Sequence, residues 1–146
     1  MIDVKFKKLD ERAILPAYAH PGDVGMDLRT ILDEPITLRP FERILIHTGL
    51  AMELPEGYEA QIRTRSGLAL KHAIVVLNSP ATIDYTYRGE IGVILINLSN
   101  EPFTINPNER IAQLVIKRCE TVNTLCVEEL SDTERGASGF GSSGLK

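Results

Sequence analysis

The sequence predicts an all-β domain, a sandwich or barrel with one short helix. Two observations carry this. Short runs rich in β-branched, aromatic and alternating apolar residues recur along the chain with turn residues between them, and only one stretch reads as a helix, about a turn and a half long. In order, the runs are residues 5–9, 36–38, 43–47, 51–54, 58–64, 74–77, 92–97, 103–105, 111–117 and 123–127. Turns are expected at Arg39-Pro40, Pro55-Glu56-Gly57, Asn100-Glu101-Pro102 and Asn106-Pro107-Asn108, where Pro presets φ and Gly or Asn accepts the bend. Residues 21–28 read as a flexible turn entering a strand, residues 67–72 as the helix, and residues 78–91 as a β-hairpin turning at Arg88-Gly89-Glu90.

Length and composition bound the rest. A chain of 146 residues is one domain, able to bury about 70% of the surface its unfolded form exposes. No apolar run approaches the 18 or so residues of a membrane span, and the charged start MIDVKFKKLDER has no signal-peptide core, so a cytoplasmic protein without a membrane partner is expected. A net charge of −4 argues against a general nucleic-acid binder. A polyanionic ligand would need a local basic cluster, for which Arg63, Arg65, Lys71, Arg88, Arg110 and Arg135 are available. Cys119 and Cys126 have no His or Cys at metal spacing and read as free thiols, while His20, His47 and His72 read as surface or packing residues. Residues 131–146 are small and rich in Gly and Ser, with one large apolar side chain, Phe140. Such a segment cannot form a core, and a lone aromatic in a glycine-rich arm suits a lid closing on something flat.

Candidate chemistry lies in four places. In residues 78–91, Asp84 stands two residues after Thr82 and three before Tyr87, which sets one carboxylate beside one ring. A fixed carboxylate can orient and deprotonate a water, and the ring can pack against a sugar or base; the same residues would equally make a surface hairpin with a solvated Asp. In residues 21–28, Asp23 and Asp27 flank Gly22 and Gly25. Carboxylates near a polyanionic ligand are useful only with a cation between them, and Mg²⁺ takes much of its coordination from waters and phosphates; otherwise this is a solvated turn. Arg65-Ser66-Gly67 enters the short helix, where backbone N–H groups, a guanidinium and a hydroxyl face an anion. An N-cap role for Ser66 fits either reading. Gln113 lies on an alternating strand, where a structural role is the ordinary one.

The stretches PGDVGMDL (21–28), RSGLALK (65–71), NSPATIDYTYRGEI (78–91), ERIAQLV (109–115) and ERGASGFGSSG (134–144) resemble, in order and spacing, the five motifs of the trimeric dUTP diphosphatases, the dUTPases. The resemblance runs from residue 5 to 144. It implies a distorted jelly-roll or β-clip barrel over residues 1–130, a flexible C-terminal arm over 131–146, and a homotrimer whose active sites draw on three subunits. It also implies Mg²⁺-dependent hydrolysis of dUTP at the α-phosphorus to dUMP and pyrophosphate, which limits uracil incorporation into DNA and supplies dUMP for dTMP synthesis.

The matched positions receive roles from that resemblance. Asp84 becomes the water-activating base, and Asp27 holds metal-bound water. Arg65, Ser66, Gly67 and Gln113 meet the phosphates. Asn78, with the backbone around Ile83 and Asp84, reads uracil, and Tyr87 lies against the deoxyribose and leaves no room for a 2′-hydroxyl. Arg135 suits the γ-phosphate, Phe140 the uracil face, and Gly141, Ser142 and Ser143 the closing of the arm over the phosphates.

The chain departs from the family pattern with Thr64 for Pro, Ala73, Ala81 and Ser138 for Gly, and Ser143 for Thr. Ala73 or Ala81 would be strained if its site required positive φ. Two other readings are set against this one. A related dCTP deaminase would carry a catalytic Glu where this chain has Ile94, and a non-catalytic nucleotide sensor would have no need of Asp84, Tyr87 and Arg135 together.

Overall fold

The computed structural model describes residues 1–139. Among them lie strands β1 (Lys5–Lys8), β2 (Met26–Arg29), β3 (Ile36–Leu38), β4 (Arg43–Glu53), β5 (Tyr58–Arg63), β6 (Ile74–Val76), β7 (Ala81–Ile83), β8 (Glu90–Asn97), β9 (Phe103–Ile105) and β10 (Arg110–Arg118), with helix α1 (Ser66–His72) between β5 and β6. One sheet has the order β1-β4-β8-β6, a second the order β2-β10-β5-β7, and β3 and β9 form a two-stranded ribbon. Every ladder is antiparallel.

Alternation places the core. Ile91, Val93, Leu95 and Asn97 of β8 point inward while their neighbours are half-exposed, and Ala60 and Ile62 of β5 do the same. Met26, Leu28, Ile62 and Leu114 from the second sheet join Ile46, Val93 and Leu95 from the first in a single apolar cluster. Fully burying each such side chain contributes about 1.5–3 kcal/mol. Asn97 is a polar member of this interior. Its Nδ2 donates to the carbonyls of Leu38 (3.0 Å) and Glu101 (2.8 Å), and its Oδ1 accepts from the N–H and hydroxyl of Ser99, so a fully buried amide ties β8 to β3 and to the turn after it with all its capacity used.

Three expectations are corrected. The separate runs 43–47 and 51–54 are one strand, β4, whose register against β8 shifts between His47 and Ala51; Gly49, at φ 66°, sits in that bulge. Residues 78–91 do not form a hairpin: β7 pairs with β5 and β8 with β4 and β6, so the stretch crosses from one sheet to the other. Residues 123–127 form no strand. They have the composition of one, but they lie exposed, Leu125 and Val127 included, with no ladder partner among the described residues.

Two of the sequence departures resolve in opposite ways. Ala81 is an ordinary strand residue opposite Ile62, outside the positive-φ set. Ala73 is the left-handed C-cap of α1 (φ 52°, ψ 29°), the position glycine takes without a Cβ penalty, and its N–H closes the helix onto Ala69 and Leu68.

Candidate functional site

Two recesses collect the expected site residues. The first is a cavity of about 190 Å³ lined by Asn78, Ile83, Asp84 and Tyr87 together with Ile62, Glu90 and Gly92. It is below the roughly 300–1,000 Å³ of a drug-sized site, the scale of one ring rather than a whole nucleotide. The crossing between sheets creates it: β7 ends at Ile83 on one layer, β8 begins at Glu90 on the other, and the loop between them spans the gap. That loop is tied to itself. The N–H of Tyr87 donates to the Asp84 carbonyl (3.0 Å), and its hydroxyl donates to the Glu90 carbonyl (3.0 Å). Gly89 makes the second bond possible, since a Cβ there would stand 2.3 Å from the Tyr87 hydroxyl. Asp84 is exposed at the edge of the cavity, a carboxylate on a loop held at both ends.

The second recess is a groove of about 450 Å³ lined by His20, Asp23, Asp27, Arg65, Ser66, Gly67, Arg110 and Gln113. Strand register builds it. Gln113 of β10 stands opposite Asp27 of β2 on one side and Arg63 of β5 on the other, and the chain leaves β5 for α1 through Arg65. Gln113 Nε2 donates to the Thr64 carbonyl (2.9 Å), and its side-chain oxygen lies where a Cβ on Gly25 would clash at 2.2 Å. Gly25 therefore admits the glutamine. Asp27 takes Arg65 Nε on one oxygen (3.0 Å) and Arg110 Nη1 on the other (3.1 Å), so one carboxylate orients two guanidinium groups along the groove.

Ser66 is not the N-cap. Arg65 is, no side chain caps the helix, and the Ser66 hydroxyl is left at the groove surface. Thr64, in place of the usual Pro, accepts the N–H of Val76 on its hydroxyl (2.9 Å) and so staples the end of β5 to β6.

The basic cluster narrows from six residues to two. Arg65 and Arg110 reach the groove, whereas Arg63 is bonded to Gln61, Arg88 to the carbonyls of Tyr85 and Tyr87, and Lys71 lines a separate hollow beside Pro102 and Phe103. Arg135 lines neither recess; its Nε donates to the Ser138 carbonyl on an exposed stretch. Phe140, Gly141, Ser142 and Ser143 lie outside the described residues. Sequence reasoning passed over Arg110 and Glu90 as site residues, naming the first only among available cations and reading the second as a turn. The signal for Arg110 was its place three residues before Gln113. For Glu90 there was none, because its partners are some forty positions away.

No group of three or more His, Cys, Asp or Glu side chains is placed to hold a metal among the described residues. The donor set of the groove nonetheless fits Mg²⁺ held through water. Asp23 and Asp27 supply two carboxylates, Asp27 already carries a guanidinium on each oxygen, and Mg²⁺ prefers to keep waters and phosphate oxygens around a small protein contribution.

Comparison with known proteins identifies the family of the chain. The dUTPase family model matches residues 11–144. The chain belongs to the dUTPase family. It is 56% identical to a deoxyuridine 5′-triphosphate nucleotidohydrolase of Treponema denticola over 140 residues, 96% of this chain and 97% of that one, and 57% identical to that of Clostridium novyi over 139 residues, 95% and 96% of the two chains. Among solved structures it is similar to the Staphylococcus bacteriophage 80alpha dUTPase with dUpNHpp, at TM-score 0.90 and 31% identity, covering 99% of this chain and 100% of that one. A phage phi11 dUTPase, described for the coordination of a structural Mg(II) ion, superposes at TM-score 0.81 with 26% identity over 90% of this chain and 100% of that one. The all-β fold with one short helix is thus the family's. No helix among the described residues is long and apolar enough to cross a membrane.

Proposed function

We propose that this chain is a dUTP diphosphatase that hydrolyses dUTP to dUMP and pyrophosphate at a site shared between subunits of a homotrimer. The observation that carries this is the division of the site residues between two recesses with no lining residue in common. One has the scale of a single ring and bears the Asn78 amide with the carboxylates of Asp84 and Glu90, and the other bears two guanidinium groups, a hydroxyl and two acidic side chains.

In this reading the Asn78 amide, with a donor and an acceptor on one group, pairs with the uracil edge. Cytosine presents the wrong donor pattern, and the methyl of thymine overfills the slot. Tyr87 lies flat on the deoxyribose and excludes a 2′-hydroxyl. Asp84 removes a proton from the water that attacks the α-phosphorus. Arg65 and Arg110 offset the charge that gathers on the phosphate oxygens, with Ser66, the Gly67 backbone and Gln113 as further contacts. Mg²⁺, associated with Asp27 through water, would supply charge neutralisation and a fixed phosphate geometry. Residues 131–146 act as the arm, with Arg135 on the γ-phosphate, Phe140 on uracil, and Gly141, Ser142 and Ser143 over the phosphates.

Support for the trimer comes from what one chain leaves undone. Val122, Leu125, Val127 and Leu130 stay exposed on a stretch of strand-like composition, as expected of a segment completed by a neighbour. The deaminase reading loses ground because Ile94 brings no carboxylate to β8. The deciding experiment assays pyrophosphate release from dUTP and ammonia release from dCTP, each with Mg²⁺. Pyrophosphate from dUTP alone is expected; ammonia from dCTP, or neither product, would overturn the reading.

A further inference from the structure

Glu90 begins β8, and its side chain reaches back across the sheet to the bulge in β4. Between His47, which pairs with Gly92, and Ala51, which pairs with Glu90, the β4 residues 48–50 face only Ile91. Glu90 Oε1 accepts the Gly49 N–H (2.8 Å), and its Oε2 lies 2.8 Å from His47 Nδ1. The Thr48 hydroxyl donates to the Ile91 carbonyl (2.6 Å), so both sides of the bulge are bonded to the start of β8. Gly49 holds φ 66° there, and a Cβ in its place would press on Asp10 and Ala13 at 3.0 and 3.1 Å. The carbonyl of this same Glu90 accepts the Tyr87 hydroxyl (3.0 Å). Tyr87 is otherwise an exposed side chain on a loop, and a ring in that setting is free to swing unless something parks it.

We propose that Glu90 is a positioning residue for sugar selection: its carboxylate clasps the β4 bulge through Gly49 and His47 and so fixes the backbone carbonyl that holds the Tyr87 ring. The inference rests on the reading of Tyr87 as the group that excludes a 2′-hydroxyl. Glu90 acts through Tyr87 and touches no reacting atom. A carboxylate that merely satisfied the Gly49 amide would contribute to folding and leave discrimination alone.

The test measures kcat/KM for dUTP and for UTP, with melting temperature, in Glu90→Ala, Tyr87→Phe, their double variant, Glu90→Gln and Tyr87→Ala. Glu90→Ala and Tyr87→Phe should each lower the dUTP/UTP ratio by about 3–10-fold, the scale of one net hydrogen bond. The double variant should fall no further than Tyr87→Phe alone, because both changes release the same ring. Glu90→Gln, which keeps an acceptor for Gly49, should restore most of the ratio. If Glu90→Ala does not fold, Glu90→Asp, too short to span both Gly49 and His47, carries the same expectation. A folded Glu90→Ala with an unchanged ratio, or losses that add in the double variant, would overturn the clasp. An unchanged ratio in Tyr87→Ala would instead sink the sugar-gate reading itself.

Discussion

Asp84 and Ala73 show how differently single residues report themselves. Asp84 is the one carboxylate on the loop between β7 and β8 ahead of Glu90, and its neighbours hold the backbone on which it stands. Asp84→Asn keeps the shape and one acceptor oxygen but cannot take a proton. Turnover at saturating dUTP should fall about 10²–10⁴-fold with substrate binding nearly unchanged; steady-state rates beside a binding titration would check it, and near wild-type turnover would remove Asp84 from the mechanism. Ala73 was legible only as a departure from an expected Gly. Its left-handed conformation is a consequence of how α1 must end to enter β6, and that is set by packing. Ala73→Gly should stabilise the protein by about 1 kcal/mol, the cost of a Cβ in that region less the extra freedom glycine gives the unfolded chain. Denaturant unfolding of both proteins measures the difference, and a loss of stability would contradict the assignment of strain.

At the scale of elements, the loop between β1 and β2 shows how charge holds a turn in place. Arg12 donates its N–H and Nε to Asp10 Oδ1 (2.9 and 3.0 Å) and Nη2 to Oδ2 (2.7 Å), while Nη1 bonds Asp33. The guanidinium and backbone bonds from Arg12 hold the Asp10 carboxyl down at about 2, against an ordinary value of 3.8. A carboxylate with a depressed folded value adds stability that is fully present above its unfolded value and is lost as pH falls through the folded one. Between pH 3.8 and about 2, then, the wild type should lose stability more steeply than Asp10→Asn, which has no proton to take up at that position. Unfolding curves across that window measure it, and parallel slopes would show that the pair does not persist in solution. The sequence gives no hint of this cluster, since Asp33 is 21 residues from Arg12.

For the whole molecule, in the proposed homotrimer, the question is which chain supplies which part of a site. Deleting residues 135–146 should abolish most activity and leave the fold, because the described part of the arm is exposed and contributes little to the core. Mixing arm-deleted chains with Asp84→Asn chains, then unfolding and refolding them together, allows a mixed trimer to draw Asp84 from one chain and an arm from another. Activity should reappear although each parent is nearly inactive. Mixed trimers demonstrated by mass that stay inactive would mean that loop and arm belong to the same chain.

The all-β class, most strand positions and the types of chemistry were set by the sequence alone, because alternation, turn residues and the composition of a motif are local properties. Asp27, Arg65, Ser66, Gly67 and Gln113 line one recess, and Asn78, Ile83, Asp84 and Tyr87 line the other. Only the tertiary structure decided the partners. It put β7 beside β5 and not β8, made one bulged strand of two runs, gave residues 123–127 no partner among the described residues, and bound Asp27 to Arg65 and Arg110. Each of these depends on residues tens of positions apart meeting across a sheet, and a strand's own pattern specifies which face it buries without specifying the neighbour it pairs with.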